Sequence, residues 1–258
     1  MSPLLVSMRG IVKTFGAVRA LRRVDLDVGH GEIVGLVGDN AAGKSTLMKV
    51  LSGVCAADAG EILIAGAPAR LASPMDARAA GIEMVYQDFA LVPELSVTQN
   101  IFLGREVTRE LLGFRFLNQP AMARAASELF ARLGLRAPAV DTPVRTLSGG
   151  QQQAVAIARA IAFDARLVIM DEPTASLGAT AITKVRETIG RLKAHGVAVI
   201  VISHRLEDVL TTADRVVVMK HGRVVGTRAV ADTAAEEVLH MIIAGNDPRR
   251  PAPPHVSA

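Results

Sequence analysis

The chain has 258 residues and a formal net charge of +4, with one cysteine, one tyrosine and no tryptophan. The single cysteine excludes an intrachain disulfide, and the scarcity of aromatic residues argues against nucleic-acid binding by base stacking. The six scattered histidines lack metal-ligand spacing, so no structural metal is predicted.

The length and the pattern of the sequence predict a single domain over residues 1–246, followed by a proline-rich tail over residues 247–258 that we expect to be disordered. No apolar run approaches the ~20 residues that cross a bilayer. The start of the chain also lacks a basic-then-apolar signal pattern, so we expect a protein that stays in the cytoplasm.

The first predicted elements are strands. Residues up to about 27 alternate weakly and predict antiparallel strands, and residues 33–37 form an apolar run typical of a buried strand. A glycine-rich segment follows, and after it the apolar residues have helical spacing. That segment matches the phosphate-binding P-loop pattern of Gly, four residues and Gly-Lys-Ser/Thr. Its residues are Gly38, Asp39, Asn40, Ala41, Ala42, Gly43, Lys44, Ser45 and Thr46.

The P-loop lies between a predicted strand and a predicted helix, as phosphate binding requires. Backbone N–H groups at the helix start can donate to phosphate oxygens. Lys44 would reach the β- and γ-phosphates of a nucleoside triphosphate, and the Ser45 hydroxyl would bind Mg²⁺. The alternative is a glycine-rich turn before an ordinary helix.

Residues 88–162 are predicted to be mostly helical and to form an inserted subdomain. Near its end, Ser148, Gly149, Gly150 and Gln151 precede an alanine-rich stretch that favours a helix. Ser148 is well placed as the N-cap residue, and the neighbouring N–H groups form a second candidate anion site. Taken alone, this segment is also a common capping turn.

Two carboxylates follow the next buried strand. The apolar run at residues 166–170 ends at Asp171 and Glu172, at the edge of a parallel sheet where ligands bind. This strand end resembles a Walker B segment, which implies that Asp171 would support Mg²⁺ and that Glu172 would act as the general base for the attacking water. The alternative is an acidic cap of the following helix.

In this order and spacing, the P-loop, the Leu-Ser-Gly-Gly-Gln segment and the acidic strand end resemble the ATPase subunit of an ABC transporter. The resemblance implies an α/β fold: a P-loop NTPase core with an N-terminal antiparallel β-subdomain and an inserted α-helical signature subdomain. It also implies ATP and Mg²⁺ as ligands. The signature, residues 147–151, of one subunit would face the ATP bound by another, so we expect a homodimer.

Three more positions match this family. Gln87 corresponds to the glutamine that senses Mg²⁺ and links the site to the membrane subunit. His204 follows a strand-like run and corresponds to the histidine that contacts the γ-phosphate, although a lone histidine there is often an ordinary loop residue. Phe15 corresponds to the aromatic residue that stacks on adenine, with a core phenylalanine as the alternative.

Short segments outside these motifs resemble the ATPases of bacterial simple-sugar importers, for example Ser-Pro-Met-Asp-Ala-Arg at residues 73–78. This implies polytopic membrane permease subunits and an extracytoplasmic solute-binding protein as partners, at the cytoplasmic face of the inner membrane. Ala41, Gln152 and Gly178 depart from the common family pattern. The loop at residues 89–97 would receive a membrane-subunit helix, or else pack within its own subdomain.

Other classes stay open at this point. An importer of another small solute fits the same motifs. A soluble ABC ATPase acting on DNA or ribosomes would typically add a coiled-coil insertion or tandem domains, and a P-loop kinase would lack the signature.

Overall fold

The computed structural model describes residues 4–86, 88–111, 113–135, 137–175 and 177–249. The strands are β1 (Leu4–Phe15), β2 (Val18–Gly29), β3 (Ile33–Gly38), β4 (Ala59–Ile64), β5 (Ala67–Pro68), β6 (Ile82–Val85), β7 (Thr108–Leu111), β8 (Phe114–Leu117), β9 (Leu167–Asp171), β10 (Ala198–Ile202), β11 (Arg215–Lys220) and β12 (Arg223–Ala229). The helices are α1 (Lys44–Leu51), α2 (Pro74–Ala79), α3 (Val97–Phe102), α4 (Gln119–Arg132), α5 (Gly149–Ile161), α6 (Ala179–Ala194), α7 (Leu206–Thr212) and α8 (Ala235–Ala244). Short 3-10 turns lie at Val144–Thr146 and Val230–Asp232.

The N-terminal strands form an antiparallel sheet, in the order β2-β1-β4-β5. Apolar residues of β1 and β2, such as Leu5, Leu21 and Val24, are buried in a core that they share with the P-loop helix α1. The predicted antiparallel β-subdomain is therefore confirmed.

The central sheet has six strands in the order β12-β11-β3-β10-β9-β6. All neighbours are parallel except the edge pair β11 and β12. Strands β9 and β10 are apolar on both faces because helices or the other sheet cover both sides. Since β3, β9 and β10 are adjacent and parallel, their carboxyl ends lie together at one edge.

The inserted subdomain contains α3, α4 and α5, with α5 packed against α3 and β6. It differs from the mostly helical expectation by one feature, the hairpin of β7 and β8. Gly113, at φ +80°, supplies the left-handed backbone of its turn. The hairpin leaves Leu111, Phe114 and Phe116 exposed.

The packed chain extends beyond the expected boundary at residue 246. Arg228 forms ion pairs with Asp247 and Glu237, and Arg249 binds the same Glu237 at 2.6 Å. These charge-assisted contacts tie residues 247–249 to β12 and α8. The rest of the predicted tail, from residue 250, lies outside the described residues. Within the described ranges, no helix combines the length and the apolar character needed to cross a bilayer.

Candidate active site

The P-loop connects β3 to α1 and requires glycine at its first position. Gly38 has φ +150°, and a Cβ there would lie 2.1 Å from the carbonyl oxygen of Met219 on β11. Gly43, the residue before α1, has φ +101°. These two glycines let the loop wrap around the helix start, where N–H groups without helix partners are available to phosphate oxygens.

Ala41 also has a left-handed backbone, with φ +67°. This conformation favours glycine because a Cβ crowds the following carbonyl oxygen. Ala41, where the chain departs from the family pattern, is therefore a strained position in the loop.

Lys44 turns its side chain back over the loop. Its Nζ donates to the carbonyl oxygens of Gly38 at 2.6 Å and Asp39 at 2.9 Å. Burial lowers the pKa of Lys44, while the carboxylates of Glu172 and Asp171 act in the opposite direction. Lys44 is thus positioned between the loop carbonyls and the acidic strand end.

Asp171 and Glu172 face the P-loop across a cleft of about 550 Å³. The cleft is lined by Val18, Arg19, Ala20, Arg22, Asn40, Ala41, Ala42, Gly43, Lys44, Ser45, Thr46, Asp171, Glu172, Ile202, His221 and Gly222. Burial raises the pKa of Asp171, and the adjacent charge of Glu172 raises it further. The structure therefore brings together the P-loop and the acidic pair that the sequence predicted.

Glu172 is oriented by the loop that follows β10. The backbone N–H of His204 donates to Glu172 Oε1 at 3.0 Å. The Nδ1 atom of the His204 imidazole lies 2.8 Å from Glu172 Oε2, but the angle between the two groups is unsuitable for a hydrogen bond. The buried Oε2 therefore has no hydrogen-bond donor among the described residues. Glu172 itself has φ +50°, a strained backbone of the kind that concentrates at functional sites.

Phe15 lies beside this cleft and is not a core residue. Its side chain is 50% exposed, and Lys13 Nζ lies 5.5 Å from the ring centre. Across the β1–β2 turn, Phe15 pairs with Val18, which lines the cleft. Its position is open to a flat ligand, unlike that of a buried phenylalanine.

The signature lies in a different cleft. Ser148 and Gln151 form a capping box, in which the Gln151 N–H donates to Ser148 Oγ and the Ser148 N–H donates to Gln151 Oε1 at 3.0 Å. Ser148, Gly149, Gly150 and Gln151 line an opening of about 880 Å³ together with Gly178. None of these residues lines the P-loop cleft. The described part of one chain therefore keeps the P-loop and the signature apart.

Gln152 and the loop before α3 make local contacts. The Gln152 amide donates to the carbonyl oxygens of Val144 and Leu147, just before the signature helix. Arg159 of α5 donates to the carbonyl oxygens of Phe89 and Ala90, and Phe89 packs against the subdomain core. Gln87 lies outside the described residues.

Sequence reasoning missed the basic side of the P-loop cleft. Arg19 and Arg22 come from β2, and His221 comes from the turn between β11 and β12. Each is an ordinary polar residue of an exposed strand or turn in the sequence. Only the packing of the two sheets brings them to the P-loop, so no local signal marks them.

Known proteins resemble this chain in sequence and in fold. The sequence profile described as "ABC transporter" matches residues 21–175. The "Ribose import ATP-binding protein RbsA" of Chromobacterium violaceum is 45% identical over 238 residues, which are 92% of this chain and 47% of that protein, so the chain spans about half of this relative's length. The "Fructose import ATP-binding protein FrcA" of Rhizobium meliloti is 42% identical over 252 residues, 96% of this chain and 97% of that protein.

The fold also matches a solved structure described as the dimeric post-hydrolysis state of the ATP-binding cassette MJ0796 bound to ADP and Pi. The TM-score is 0.73 at 25% identity, over 87% of this chain and 98% of that one. The resemblance that the three motifs predicted is confirmed. The chain belongs to the ABC transporter family and carries the ATP-binding cassette of that family.

Proposed function

We propose that this chain is the ATP-hydrolysing subunit of an ABC importer and that the imported solute is a simple sugar. The observation that carries the hydrolytic part is the convergence of Lys44, Ser45, Asp171 and Glu172 in one cleft. The sugar part rests on the relatives, whose names specify ribose and fructose import.

The P-loop binds the phosphates of ATP in this proposal. Lys44 exchanges its bonds to the loop carbonyls for bonds to β- and γ-phosphate oxygens, which also restores a negative partner to a half-buried ammonium group. Ser45 and Asp171 fit Mg²⁺, because both offer oxygen ligands and a cation offsets the adjacent charges of Asp171 and Glu172. When bound, Mg²⁺ neutralises charge on the β- and γ-phosphates. Phe15 stacks on the adenine.

Glu172 accepts a proton from the attacking water. Its Oε2 is the oxygen without a hydrogen-bond donor, while Oε1 is fixed by the N–H of His204. The imidazole of His204 lies beside the same carboxylate and contacts the γ-phosphate. A general base contributes typically ~10²–10⁴-fold to the rate.

The test is Glu172→Gln, which keeps the shape of the side chain and removes the base. We expect ATP affinity to stay within a few-fold of wild type while steady-state hydrolysis falls ~10²–10⁴-fold. Hydrolysis close to the wild-type rate would remove Glu172 from this role.

The partners in this proposal are a second copy of the chain, polytopic membrane permease subunits and, indirectly, an extracytoplasmic solute-binding protein. The chain would work at the cytoplasmic face of the inner membrane, with Gln87 and the loop at residues 89–97 facing the permease. Closure of two copies on ATP reorients the permease, and hydrolysis reopens them.

Affinity purification from native membranes tests the transport assignment. Recovery of a permease with a sugar-binding protein supports sugar import, and recovery with a binding protein for another solute class shifts the cargo. Recovery of ribosomes or DNA, without a membrane protein, contradicts the importer and leaves the ATPase in place.

A further inference from the structure

Asp208 is a buried carboxylate that belongs to none of the motifs above. It lies in α7, shortly after His204, and is 3% exposed. A buried carboxylate is stable only when partners satisfy it, so its neighbours indicate what it does.

Asp208 connects the start of its own helix to the segment after Glu172 and to α6. The hydroxyl of Thr174, which is 4% exposed and follows Glu172, donates to Asp208 Oδ2 at 2.6 Å. Arg186 of α6 binds Oδ1 at 2.6 Å, and Arg205 lies 3.5 Å from Oδ2. Burial acts to raise the pKa of Asp208, but the hydrogen bonds from Thr174 and Arg186 and the charges of the two arginines outweigh it and lower the pKa. Asp208 is therefore a charged residue at neutral pH.

The helix that carries Asp208 is fixed to the P-loop strand. Val209 packs so closely over Gly35 of β3 that a Cβ on Gly35 would lie 2.0 Å from Val209 Cγ1. Glu172 lies two residues before Thr174, and His204 lies directly before Arg205. The side chains of Glu172 and His204 meet in the candidate active site. Asp208 thus connects the segment after Glu172 to the segment after His204, on a helix that packs against β3.

We propose that Asp208 is a positioning residue for ATP hydrolysis. By binding Thr174 and Arg205 simultaneously, it fixes the distance between the backbones that carry Glu172 and His204. This inference rests on the roles proposed for those two residues. Displacement of a reacting group by about 1 Å costs on the order of 10²-fold in rate, so loss of the link lowers kcat and leaves nucleotide binding by the P-loop intact.

The experiment compares Thr174→Val, Thr174→Ser and Asp208→Asn. Thr174→Val removes the hydroxyl at nearly constant volume, and Thr174→Ser keeps it. Thr98→Val is the matched control, because Thr98 is also a buried threonine, 5% exposed, whose hydroxyl makes one long-range bond, to the carbonyl oxygen of Val140.

We expect Thr174→Val and Asp208→Asn each to lower kcat by roughly 10–100-fold with KM for ATP within about twofold. Combined, they should cost little more than either one alone, because both break the same link. Thr174→Ser should retain most of the wild-type kcat, and Thr98→Val should leave kcat unchanged even if it lowers the melting temperature.

A wild-type kcat in Thr174→Val would overturn the inference, as would fully multiplicative effects in the double variant. If Asp208→Asn does not fold, the Thr174 pair and its control still decide the question. Glu172→Gln in the same assay distinguishes a failure of the proposed catalytic base from a failure of the role proposed for Asp208. Normal hydrolysis in that variant removes the proposed base, whereas loss of hydrolysis there with normal Thr174→Val contradicts only the role of Asp208.

Discussion

Asp171 illustrates how the candidate active site is organised at the scale of single residues. Its pKa is raised by burial and by the charge of Glu172. A carboxylate whose pKa is higher in the folded than in the unfolded chain is destabilising while it is charged, that is, above its folded pKa. The penalty shrinks as the pH falls below that value and is gone below the pKa of the unfolded chain. The nucleotide-free protein therefore carries an electrostatic cost at the position assigned to Mg²⁺.

Asp171→Asn should stabilise the nucleotide-free protein at neutral pH and abolish Mg²⁺-dependent hydrolysis. Thermal unfolding measures the effect, since each kcal/mol shifts the melting temperature of a protein of this size by roughly 2–4 °C. The gain should shrink towards acid pH, where wild-type Asp171 becomes protonated. Asp141→Asn, at an exposed residue, is the control. A lower melting temperature for Asp171→Asn at neutral pH would contradict the assignment.

At the scale of elements, the contact between β3 and α7 allows no side chain at Gly35. A Cβ there would lie 2.0 Å from Val209 Cγ1, so Gly35→Ala overpacks this interface. We expect a loss of about 1–3 kcal/mol in the free energy of unfolding. The double variant Gly35→Ala/Val209→Ala should recover part of it, because the clashing methyl group is removed.

Chemical denaturation measures both changes. Gly190→Ala provides the control: Gly190 lies within α6 and a Cβ there would meet no atom within 4 Å. Removing a glycine from a helix should stabilise by about 1 kcal/mol. Equal effects of the two glycine substitutions would show that packing against Val209 is unimportant.

The elements differ in how far the sequence could predict them. Strands β9 and β10 are buried on both faces and therefore have continuous apolar runs, which predicted them and the positions of Asp171 and His204. The hairpin at Thr108–Leu117 has mostly exposed residues on both faces, so no alternation marked it. The link through Asp208 joins residues separated by 34 and 22 positions, and only the fold reveals it.

At the scale of the whole molecule, the separation of the P-loop cleft from the signature cleft predicts ATP-dependent dimerisation. Glu172→Gln, which retains bound ATP, should form a dimer by light scattering with ATP and a monomer without it. Adding Ser148→Arg should prevent the dimer, because the new side chain would fill the surface that meets the partner's nucleotide in the proposed homodimer.

Ser127→Arg is the control for this experiment, since Ser127 lies exposed on α4 and lines neither cleft. It should leave the ATP-dependent dimer intact. A dimer that persists with Ser148→Arg would show that the signature does not face the second nucleotide.

The separate clefts also have a genetic consequence. In the proposed homodimer, each site takes its P-loop from one copy and its signature from the other. A copy inactivated at Lys44 and a copy inactivated at Ser148 therefore form a mixed dimer. One of its sites contains both substitutions, and the other site contains neither. Two null alleles of the same gene, each without activity alone, would complement each other when expressed together.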